Sequence, residues 1–169
     1  MTDLARDLSS SSVAVRGRAA ETLARLGSGS SEFAVPLVAA AGDSDESVRE
    51  WVTSALESMG PPEAKTVDSL AALVPHRNPT VGYWAVTLLG RLGSQASAAV
   101  PALAAALQSP APEVQQRAAW ALGKVGVAAR IARSALEVAV QSSDPRLARL
   151  AASSLAAILD DSASGSAGR

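Results

Sequence analysis

Apolar positions along this chain fall at helical spacing, and the same pattern returns every 33 residues. In "VRGRAAETLARLG", Val15, Ala19, Leu23 and Leu26 lie at i, i+4, i+8 and i+11, one face of a helix. "VREWVTSALESMG" repeats the stripe with Val48, Val52, Leu56 and Met59, and "VGYWAVTLLGRLG" with Val81, Ala85, Leu89 and Leu92. "VQQRAAWALGKVG" carries it on Val114, Ala118, Leu122 and Val125, and one more step reaches Leu147 in "LARLAASSLAAIL". A second register runs through Leu4, Leu37, Leu70, Leu103 and Leu136, which fall in a companion helix of each unit. A fixed period of this length is the mark of a solenoid of stacked units. The pattern predicts an all-α solenoid of about four and a half helix pairs over residues 1–159.

The start and stop signals keep the same step. Ser12, Asp45, Asn78 and Asp144 stand where a side-chain oxygen can cap a helix, with Ala111 the exception in that row. Pro79, Pro112 and Pro145 follow at the first helical position. Gly27, Gly60, Gly93 and Gly126 are placed to close the first four such helices in a left-handed cap. The companion helices are expected at roughly 30–41, 63–74, 95–108 and 129–141, with Pro36 and Pro101 bending or restarting two of them. "DLARDL" reads as a partial opening unit, and the closing "DDSASGSAGR" (160–169) as a disordered polar tail.

Composition agrees with helices packed closely. The 169 residues are 48% hydrophobic but only 3% aromatic, and alanine rows let helices approach. With no cysteine there is no disulfide framework and no thiolate chemistry. The net charge of −1 provides no overall field for nucleic acid. The halves differ, with 7 basic against 11 acidic residues in 1–84 and 8 against 5 in 85–169. "MTDLARDLSSSS" is a poor signal peptide, and "FAVPLVAAAG" is too short to span a bilayer. The expectation is a cytoplasmic protein with no membrane role. The excess of arginine over lysine, with so much alanine and glycine, points to a bacterial source.

The pattern "VR..AA.ALG..G" followed by a leucine-bearing helix such as "AVPALAAAL" resembles HEAT repeats of the short bacterial type, the phycobilisome-lyase HEAT-like repeats with an armadillo-type fold. The resemblance covers about residues 4–159. It implies a curved superhelix whose "VR" helices line the concave side. The family pattern has an arginine after the valine and an aspartate in the preceding turn. Arg16 and Arg49 keep the arginine, while Gly82, Gln115 and Ala148 depart from it and break any continuous Asp–Arg ladder.

One register of the "VR" helices is left free of the apolar seam: Arg18, Trp51, Trp84, Arg117 and Leu150. With neighbouring helices about 8–10 Å apart, this row would form an aromatic strip bracketed by arginines. Tyr83 lies beside it, and Trp120 follows Arg117 by three residues. Tryptophan, tyrosine and arginine are the side chains most enriched in binding hot spots. The six residues Arg18, Trp51, Tyr83, Trp84, Arg117 and Trp120 are therefore the candidate partner-binding set. The competing reading is that the tryptophans fill space between small alanines, with Arg117 stacked on Trp84 or Trp120. A second row, Arg25, Arg91 and Lys124, lies in last helical turns, where cations complement the helix dipole.

Catalytic patterns are missing. His76 is the sole histidine and reads as a surface turn, Asp160 and Asp161 fall in the tail, and no phosphate-cradling loop occurs. The sequence therefore predicts a non-enzymatic scaffold, without cofactor, metal or nucleic acid, that binds a protein or peptide through its concave face. The uncovered last helix is a candidate for self-association. Two alternatives remain. The resemblance includes lyase subunits that handle bilins, and an arginine-bearing aromatic groove would suit a tetrapyrrole. The other is a structural spacer with no partner of its own.

Overall fold

The stripe and the leucine register become a two-layer stack of helices in a computed structural model that describes residues 3–159. The elements are α1 (Leu4–Asp7), α2 (Val13–Leu26), α3 (Ala34–Ala40), α4 (Glu46–Ser58) and α5 (Val67–Leu73). They continue with α6 (Pro79–Leu92), α7 (Val100–Ala106), α8 (Pro112–Val125), α9 (Arg133–Val140) and α10 (Pro145–Leu159). Long helices α2, α4, α6, α8 and α10 alternate with short ones, in a right-handed α–α superhelix of about four and a half pairs. No strand occurs among the described residues. The expected tail, 160–169, lies outside them.

The seam follows the predicted spacing through α4, α6 and α8, while in α2 Leu26 of the predicted stripe is 49% exposed and Val15 half-buried. Val48, Val52 and Leu56 of α4, Val81, Ala85 and Leu89 of α6, and Val114, Ala118 and Leu122 of α8 are buried. Leu37, Leu70, Leu103 and Leu136 are fully buried in the short helices. Each such leucine stabilises the stack by about 2–5 kcal/mol relative to alanine.

The short helices begin later than the periodicity suggests. A 3-10 segment precedes each one: Gly27–Phe33, Ala64–Thr66, Gly93–Ala99 and Gly126–Ala132. Pro36 and Pro101 consequently fall in the first turns of α3 and α7, where a missing N–H costs no helical bond. They start these helices and do not kink them.

Three of the four closing glycines act as caps, though not in the left-handed helical region. Gly27, Gly93 and Gly126 have φ of 52°, 58° and 74° with ψ between −123° and −141°. This is the mirror of the extended region, open to a residue without Cβ. Gly60 departs from the row. Pro61 follows it and favours extended backbone before itself, and α4 stops at Ser58 with Met59 already extended. Arg91 of α6 takes over the end of α4, its Nη1 donating to the carbonyls of Leu56 (2.7 Å) and Met59 (3.3 Å). Its expected role at the end of its own helix becomes a link between repeats.

That link stands where the stack is loosest. Helices α2 and α4, α6 and α8, and α8 and α10 pack closely along their lengths, whereas α4 and α6 stay apart and α6 leans instead on α3 and α5. Trp84 of α6 is only 7% exposed, with the Arg91 guanidinium 5.9 Å from its ring centre.

Each turn ahead of a long helix uses one device. The side chains of Ser10, Asp43, His76, Ser109 and Ser142 accept from the backbone N–H two residues on, at 2.9–3.2 Å. His76 does so through Nδ1, so the lone histidine holds a turn. The predicted caps Asp45, Asn78 and Asp144 accept from the first turns of α4, α6 and α10. Ser12 precedes α2 but its side chain makes no capping bond; its backbone carbonyl accepts from Val15 and Arg16. Arg16 pairs with Asp43 through two bonds of 2.7 and 2.9 Å and also donates to the Ser10 carbonyl. The ladder ends there, since the next turn has His76 where Asp43 stood. Gln116 supplies a different tie further on, donating to Asp144 at 2.6 Å.

Two outcomes are expected. The Arg16 guanidinium holds the Asp43 carboxyl below its ordinary 3.8, so the pair's contribution is complete above that value and is lost as pH falls through the lowered one. Melting temperatures of wild type and Asp43→Asn should differ most near neutral pH and converge in strong acid; a constant gap would contradict the pairing. Ala111 precedes α8 in extended backbone with no capping bond. Ala111→Asp should therefore stabilise the protein by about 1 kcal/mol, seen as a higher melting temperature.

Candidate functional site

The row singled out from the sequence does not form one strip. Arg18 is exposed on α2 and Trp51 is 38% exposed on α4. Trp84 turns into the core. Beyond the joint, Arg117 and Leu150 are half-buried on α8 and α10.

The structure gathers Tyr83, Arg117 and Trp120. The Arg117 guanidinium lies 4.8 Å from the Tyr83 ring centre and 5.0 Å from that of Trp120, and its Nη2 donates to the Tyr83 hydroxyl. A planar cation between two aromatic faces is held at low entropy cost and keeps donors free for a ligand. Tyr83 in turn meets Trp84 edge to face, with ring centres 5.6 Å apart and planes at 86°. The Arg117 stacking partners are thus Trp120, as its spacing suggests, and Tyr83; Trp84 stacks with Arg91 instead.

Local packing explains where the rings sit. Trp120 lies against Gly90 of α6 so closely that a Cβ there would have no room. Glycine at 90 therefore lets the Trp120 ring of α8 press against the neighbouring helix. Burial pushes the Arg91 guanidinium below its ordinary value, and the positive charge of Arg117 adds to this.

These groups border a depression of about 310 Å³ across α6, α8 and α10, completed by Glu113, Gln116, Arg146 and Leu150. Glu113, Gln116 and Arg146 are not in the sequence-derived set. The register would have found Gln116, which lies 33 residues after Tyr83; Glu113 and Arg146 share a register with each other but with none of the predicted residues. A second hollow of about 380 Å³ runs along α4 and is acidic, with Glu46, Glu50 and Glu57 beside Arg49, Thr53 and Ser54. The face of the long helices is therefore acidic on α4 and cationic with aromatics on α6, α8 and α10. Among the described residues, no three His, Asp or Glu side chains gather as a metal site. No described helix is long and apolar enough to cross a membrane.

No curated protein matches this sequence. Solved structures match its fold. A designed armadillo repeat protein in complex with the peptide (KR)4 superposes with a TM-score of 0.64 at 19% identity, over 92% of this chain and 80% of that one. An engineered protein gives 0.66 at 20% identity, over 96% and 88%. The complex of CpcE and CpcF of phycocyanin lyase from Nostoc sp. PCC7120 gives 0.65 at 21% identity, over 93% of this chain and 64% of that one. At these identities the likeness is one of fold. The family model for HEAT repeats matches residues 2–74 and 67–156, so nearly the whole chain is covered, and the protein belongs to the HEAT repeat family.

Proposed function

We propose that the protein is a non-catalytic scaffold that binds a segment of a partner protein along the face of its long helices, the concave face of the superhelix. The observation that carries this reading is the Arg117 clamp between Tyr83 and Trp120 at the edge of an open depression. A guanidinium held in this way offers directional hydrogen bonds to a carboxylate or a backbone carbonyl, beside apolar contact area. Arg146 adds a second cation, and the acidic hollow on α4 offers an opposite charge for the other end of the segment. The partner is thus an extended peptide with an acidic group toward α8 and α10 and a basic group toward α4.

Trp51 and Arg18 contribute as exposed contacts on the acidic side, while Trp84 is buried in the core. Supporting this mode of binding, one similar solenoid is a complex with a basic peptide, and another is a complex of two repeat subunits.

The test is selection of peptides from a displayed random library on the folded protein, followed by affinity measurement on variants. Selected peptides should carry both charge signs. Each of Arg117→Gln and Trp51→Ala should lower their affinity about tenfold or more, a loss of roughly 1.4 kcal/mol or above. Peptides that bind all variants equally would overturn the reading.

A further inference from the structure

A cavity lies away from that face, at the edge where helices turn. It has a volume of about 610 Å³, within the roughly 300–1,000 Å³ of small-molecule sites. It is bounded by the end of α5, the turn to α6, the body of α7 and the turn to α8.

The repeat itself explains why the space is empty here. In the preceding gap, 33 residues earlier, the same positions hold Arg49, Leu73 and Asn78. Arg49 donates to the carbonyls of Asp43 and Ser44, and Asn78 packs against Gly42. At the cavity these become Gly82, Ala106 and Ala111, three reductions in size at once. In the following gap Gln115 and Asp144 restore two long polar side chains, with Gln115 donating to the Ser109 carbonyl at 2.7 Å. Gly82 is also a fixed choice: a Cβ there would lie 2.8 Å from the Val74 carbonyl oxygen. The chain cannot fill this space from its own α6.

The walls state what would fit. Alanines, prolines and valines line the body, including Ala71, Ala102, Ala105 and Val114. The polar groups are His76, Arg77, Gln108 and Ser109, and no carboxylate is among the lining residues. His76 spends Nδ1 as acceptor for the Asn78 N–H, which leaves the N–H of its neutral form on Nε2 as a donor. The turn thus offers donors and positive charge beside an apolar hollow.

We propose that this cavity binds a small aliphatic carboxylate, with its chain among the alanines and prolines and its carboxylate at Arg77 and His76. An anionic head is attracted by Arg77 and accepts from both residues. An apolar body replaces the stem of the arginine and the leucine that the preceding gap contains.

Octanoate, with octanamide as its neutral counterpart, titrated into isotopically labelled protein and followed by amide chemical shifts, tests this. Octanoate should shift amides in Val74–Gly82 and Ala102–Val114 and bind more tightly than octanamide. Ala106→Leu, which restores the preceding repeat's residue, should weaken binding about tenfold. Arg77→Gln, an exposed substitution that leaves packing intact, should remove the preference for octanoate. The proposal is overturned by no shifts at millimolar octanoate. Shifts centred on the exposed Ile131 and Val138 would overturn it equally, as would an octanamide affinity equal to that of octanoate.

Discussion

Trp120 of α8 rests on the bare backbone of Gly90 in α6, and Ser154 of α10 reaches the Ala119 carbonyl at 2.6 Å against Gly123 of α8. Both contacts are made by removing a side chain from one long helix so that the next can press against it. The rest of the stack depends on this close approach. It sets the distance at which the valine and leucine seam interdigitates, and it fixes which side chains are left on the outer face of the long helices. Dispersion contacts fall off steeply with separation, so a joint opened by even a fraction of an ångström loses much of its attraction.

The α4/α6 joint shows the consequence of doing otherwise. There the neighbours stay apart, and the link is made by Arg91 reaching back to the open end of α4. A half-buried cation links the two helices in place of a small-residue contact. The face of the long helices is also divided by charge, with the acidic hollow of α4 on one side and the Arg117 clamp on the other. A partner lying along this face would meet two chemically distinct halves, which is the basis for assigning it a two-signed segment.

The period, the long helices and the buried leucines were legible because each is a local pattern repeated in register. Asp45, Asn78 and Asp144 were legible as caps for the same reason. Gly60 was misread because its row outweighed its neighbour, although Pro61 in the sequence already argues against a reversing cap. Trp84 shares a register with Trp51, and spacing alone does not say that one helix pair stands wider than the others. The Arg117–Trp120 pair could be read from three-residue spacing, whereas the Tyr83 contact crosses between helices. The cavity at Gly82 needs small residues at three positions on different elements together, and no single motif marks it.

Gly90→Ala puts the central claim to a test of sign. By helix propensity alone the substitution should stabilise α6 by about 1 kcal/mol. If close approach governs the stack, the added methyl displaces Trp120, and the melting temperature falls while Trp120 fluorescence shifts toward that of an exposed ring. A melting temperature equal to or above that of wild type would contradict the account.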